Sequence, residues 1–98
     1  MRRGTTPGIY ISTDIDLTGA ENLYVTFQQL DTVVFEKTLD DCTIEKDHIV
    51  VILTQDDTLS LNHKYKVYVQ IRGTLDNAKI ASNIMMTSVE KILKDGKI

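Results

Sequence analysis

The chain is poor in the residues that carry most recognisable chemistry. Its 98 residues include no tryptophan, one cysteine, one proline, two histidines and three alanines. A lone Cys42 excludes an intramolecular disulfide, so no redox compartment is required. Scarce alanine argues against a helical bundle. No apolar run approaches the ~18 residues of a membrane-spanning helix. Arg2 and Arg3 are followed by no apolar stretch, so the start does not read as a secretory leader. Dense Lys/Arg clusters are absent and the pI is about 5.2, which disfavours a nucleic-acid binder. No Gly-rich phosphate loop and no nucleophile elbow occur.

What the chain has instead is β-branched side chains. Thr, Ile and Val account for 31 of the 98 residues. Such side chains are stiff at χ1 and pack well on a pleated surface. Short alternating segments place strands at residues 8–13, 22–29, 32–38, 48–54, 64–72 and 78–89, with a marginal one at 43–45. Leu23, Val25 and Phe27 share one face of the second strand. In the 64–72 strand, Tyr65, Val67, Val69 and Ile71 face in, while Lys64, Lys66, Tyr68, Gln70 and Arg72 face out. Five consecutive apolar residues, Ile49 to Leu53, suggest a central strand covered on both faces. Leu30-Asp31, Lys46-Asp47 and Asp76-Asn77 read as tight hairpin turns. Ser82-Asn83 suggests a bulge. Thr54 with Asp57 three residues on forms a capping-box signature for one helical turn, anchored by Leu59 and Leu61. Ile15 and Leu17 serve as pegs into the core. Residues 90–94 could form a short helix ending at Gly96. The expected fold is all-β: a single antiparallel β-sandwich, immunoglobulin-like, of about seven strands with one or two helical turns. It occupies residues 8–98. Residues 1–7 form a flexible polar arm outside the core, so its removal should leave melting unchanged.

Candidate sites are few. Asp14, Asp16, Thr18 and Gly19 match the front of a calcium loop, but position twelve is Val25, where a bidentate Glu is needed. The segment therefore reads as an acidic turn whose carboxylates accept backbone N–H bonds. Asp40-Asp41 and Asp56-Asp57 read as solvated turn residues. His48 and His63 read as surface residues, and Cys42 as a half-buried small hydrophobe. No metal or other cofactor is expected, nor any catalytic residue. The outward face with Lys64, Lys66, Tyr68 and Arg72 could bind an anionic or carbohydrate surface, with Tyr68 as a stacking platform. The net charge of −3 is divided unevenly: −9 between Asp14 and Asp57, and +6 over the rest.

The order of several segments adds a resemblance. The opening MRRGTTP, the LTQDDTLSL middle, the VQIRG strand, the IASNI segment and the closing LKDGKI together resemble a family of small phage and prophage proteins of Gram-positive bacteria. It spans nearly the whole chain. Asp56-Asp57 stand where glutamates are usual, and Asp76-Asn77 where a Gly is commoner. The resemblance implies a non-enzymatic structural or tail-associated module. Its partners would be other phage structural proteins, met through an arm carrying Arg2 and Arg3, or a second copy met through an edge strand. It would reside in the host bacterial cytoplasm during assembly and then in the virion. A carbohydrate- or host-surface-binding module is the alternative. No nucleic acid, membrane or small-molecule substrate is expected.

Overall fold

Alternation of apolar and polar side chains organises this protein into two antiparallel sheets around one core. In the computed structural model, which describes residues 1–82 and 84–90, eight strands form. They are β1 (Gly8–Ser12), β2 (Asn22–Gln29), β3 (Thr32–Thr38), β4 (Cys42–Ile44), β5 (His48–Ile52), β6 (Val67–Leu75), β7 (Ala78–Ala81) and β8 (Met85–Thr87). A single turn of helix, α1 (Gln55–Leu59), links β5 to β6, and a 3-10 turn covers Leu39–Asp41. The small sheet has the order β1-β5-β4. The large one runs β3-β2-β6-β7, with β8 also pairing β6. The architecture is an all-β sandwich, as the residue pattern predicts.

Both sheets contribute to the same core. Ile11, Ile49 and Val51 come from the small sheet; Leu23, Val25, Phe27, Val67, Val69 and Ile71 come from the large one. Burial of these side chains is the main favourable term in folding. Phe27 and Phe35 stack across the β2–β3 pair with ring centroids 4.5 Å apart. Val34 is the extra residue of a bulge in β3, where the register slips between Phe27 and Gln28. The Leu30-Asp31 and Asp76-Asn77 hairpins form as expected, with positive φ at both residues of each. Glu45 N–H donates to His48 O and closes the Lys46-Asp47 turn.

The expected 78–89 strand divides into β7 and β8 around Ser82, which takes over the ladder at that point. Ile71 N–H donates to Ser82 Oγ, and Ser82 N–H donates to Ile71 O. Asn83 lies outside the described residues, as do residues 91–94 of the expected closing helix and Gly96.

Four expectations need correction. Tyr65 does not face the core: it is 40% exposed and precedes β6, which starts at Val67. Gln29, arriving from β2, explains this. Its side-chain amide donates to Asn62 O and Tyr65 O and accepts from Asn62 N–H, folding residues 62–65 into a turn. Ile15 is 46% exposed; only Leu17 enters the core. Strand β5 is central in its sheet but covered on one face only, and Ile52 is exposed.

The fourth correction concerns the arm. Residues 1–7 are fastened to the domain rather than loose. Met1 packs against the core, and its backbone bonds Ser88 O and Glu90 N–H. Arg2 forms a bridge and an ion pair with Glu90. Gly4 O accepts from Gln55 Nε2, Thr5 O from Thr58 Oγ1, and Pro7 O from Leu53 N–H.

Candidate interaction surface

Antiparallel pairing sends alternate residues of β2 and β6 to the outside of the large sheet. Register then sets them in rows across the strands. Val33, Gln28, Tyr68 and Met86 form one row; Glu36, Thr26 and Gln70 form the next; Thr38, Tyr24, Arg72 and Ala81 form the third. Val33, Tyr68 and Tyr24 are exposed, and Met86 is 61% exposed. Thr26 Oγ1 donates to Glu36 across β2 and β3, and Gln70 Nε2 donates to Ser82 O. The result is a rigid face with apolar side chains at one end and a polar depression at the other. That depression, about 390 Å³, is lined by Asn22, Tyr24, Glu36, Arg72, Thr74 and Lys79 among others. Gly73 lies under it, and β2 passes so close that an added Cβ would stand 2.6 Å from Asn22 O.

The structure separates the residues singled out in the sequence. Tyr68 and Arg72 share the outer face of β6. Lys64 and Lys66 are exposed but lie before that strand. Lys64 instead borders a second cavity with Arg3 and His63, at the end of α1. There Arg3 Nε donates to Leu61 O at 2.7 Å and a terminal guanidinium nitrogen to Leu59 O at 2.8 Å. Arg3 thus satisfies carbonyls left open at the helix end. Both arginines make bonds within the domain. Sequence spacing does not single out Met86 or Val33 as face residues. Alternation in the 22–29 segment does put Tyr24 outward, but only register shows that it lies beside Arg72.

Other titratable groups have structural duties. Burial pushes the Asp57 carboxyl up, but hydrogen bonds from Lys37 and Thr54 outweigh it and hold the group below its ordinary value. Lys37 and Asp57 form a largely buried ion pair linking β3 to α1. Asp57 also completes the capping box with Thr54. The Asp16 carboxylate accepts from the Thr18 hydroxyl at 2.6 Å and N–H at 2.9 Å, contacts that lower its pKa. This is an acidic turn closed on itself. Burial pushes the Cys42 thiol up, Asp41 adds to the shift, and Lys37 offsets part of it. A thiol shifted that way is a poor nucleophile. His48 stacks on Tyr10 at 4.4 Å between centroids and meets Asp47 through Nδ1. Among the described residues, no group of three or more His, Cys, Asp or Glu could hold a metal ion. Nor is any described helix long and apolar enough to cross a membrane.

Family models, curated proteins and solved structures were each compared with the chain, and none matches.

Proposed function

We propose that this chain is a non-enzymatic, immunoglobulin-like module of phage or prophage origin that works by protein–protein contact in the virion. The observation that carries the reading is the outer face of the large sheet. Tyr, Met and Arg are enriched in protein interfaces, and this face presents Tyr24, Tyr68, Met86 and Arg72 from contiguous strand positions. Strand order supports the immunoglobulin-like part. The sequence β1-β5-β4 corresponds to B-E-D, and β3-β2-β6 followed by β7 and β8 corresponds to C′-C-F-G. The resemblance in segment order, from MRRGTTP onward, supports the phage part.

The test is particle composition. Mass spectrometry of purified particles from an induced lysogen should find the protein at fixed stoichiometry. Tyr68→Asp should abolish its incorporation while leaving its melting curve intact. Particles that lack the wild-type protein would overturn the reading.

A second reading rests on the polar depression. An exposed Tyr24 ringed by Asn22, Glu36, Arg72, Thr74 and Lys79 offers the stacking surface and paired donors and acceptors that a sugar ring uses. Binding on a glycan array that disappears with Tyr24→Ala or Tyr68→Ala would favour it over the first.

A further inference from the structure

Strand β1 has one partner and one open side. It pairs β5 from Gly8↔Ile52 to Ser12↔His48 and stands at the end of its sheet. The phase of that ladder is set just outside it. Leu53 N–H donates to Pro7 O at 3.0 Å, and Thr13 N–H donates to Asp47 O at 2.8 Å. Odd-numbered residues therefore turn their backbone groups toward β5. Gly8, Tyr10 and Ser12 turn theirs outward. Among the described residues no strand covers that side.

Soluble proteins usually blunt such an edge with Lys, Pro, an inward charge or a bulge. The segment GIYIS contains none of these, and its pairing runs without a register shift. Beside the edge lies a cavity of about 390 Å³ between the sheets, lined by Ile11, Leu17, Ile71, Ile80 and Met85 among others. A strand added to β1 would need apolar residues on its core-facing side to suit that cavity.

We propose that the occupant is β1 of a second copy, giving a two-fold dimer with one continuous sheet across both small sheets. Two observations select a second copy. The segment is self-complementary: antiparallel pairing about Tyr10 sets Gly8 against Ser12, so all outward N–H and C=O groups are satisfied. The added strand brings its own Ile9 and Ile11 on the core-facing side, next to the cavity. A two-fold contact of this kind closes on itself and does not propagate into fibres. It uses the small sheet and leaves the outer face of the large one clear.

The test exploits the symmetry. Tyr10 is 60% exposed and would face its own copy across the two-fold axis. Sedimentation of the full chain should show a concentration-dependent dimer. Tyr10→Lys and Tyr10→Glu should each be folded monomers, with the dissociation constant raised at least ~10-fold by like charges placed opposite each other. An equimolar mixture of the two variants should recover the dimer. Hydrogen exchange on the unaltered protein gives a check that needs no variant. The amides of Gly8, Tyr10 and Ser12 should be protected when concentrated and exchange freely on dilution. A wild-type monomer throughout the concentration series, variants that still dimerise alone, or a mixture that remains monomeric would each overturn the proposal.

Discussion

At the scale of single residues, the backbone is constrained in opposite ways at Gly73 and at the Leu30-Asp31 turn. Gly73 sits where β6 and β2 approach so closely that a methyl group would meet Asn22 O at 2.6 Å. Gly73→Ala must push two central strands apart, and should cost about 1–3 kcal/mol in chemical denaturation. Leu30 and Asp31 show the converse. Both hold positive φ, 50° and 62°, in a two-residue hairpin that favours Asn-Gly. Leu30 is also exposed. The double replacement Leu30→Asn with Asp31→Gly should stabilise by about 1 kcal/mol, read as a higher melting temperature. The hairpin was legible because only two residues separate two alternating runs. The inward placement of Tyr65 was misread for a related reason. Alternation continues through Tyr65, but the turn that removes it from the strand is imposed by Gln29, 36 positions away in the chain.

At the scale of elements, α1 shows what local spacing can and cannot reveal. Thr54 and Asp57 three residues apart announced the cap, and the reciprocal bonds are present. Nothing in the spacing announced Lys37, which reaches Asp57 from β3. The pair makes α1 sensitive to acid, and the sign follows from linkage. Asp57 ordinarily titrates near 3.8, and its value in the folded protein is lower. The unfolded chain therefore takes up this proton first as pH falls. The stabilisation is complete above 3.8 and is lost as pH drops through the folded value. Urea midpoints should fall between pH 6 and pH 2.5, and Asp57→Asn should flatten part of that slope while lowering the midpoint at pH 6. An unchanged slope would remove Asp57 from the account. Thr54→Ala should cost about 1 kcal/mol through the lost cap.

At the scale of the whole molecule, the sandwich was legible and its closure was not. Period-two alternation identifies which face of a strand is apolar, so the inner faces of β2 and β6 could be assigned from Leu23, Val25, Phe27, Val67, Val69 and Ile71 alone. Composition suggested that residues 1–7 were a free arm, because Arg2, Arg3, Thr5 and Thr6 have no place in a core. Polar groups of Arg2, Arg3 and Thr5 are engaged instead with helix α1 and the stretch around Glu90, joining parts of the chain more than fifty positions apart. Removing residues 2–7 would open the Leu59 and Leu61 carbonyls to solvent, strip Thr58 of its Thr5 partner and expose apolar surface under Met1. Each lost hydrogen bond is worth roughly 1 kcal/mol. The truncated protein should therefore lose at least ~2 kcal/mol and melt several degrees lower. Arg3→Met separates the causes: it keeps the backbone bonds of the arm and removes the side-chain donors to Leu59 O and Leu61 O. A loss intermediate between wild type and truncation would show that Arg3 and the backbone share the work of holding the sandwich closed. A truncated protein that melts like the wild type would return residues 1–7 to the role of a loose arm.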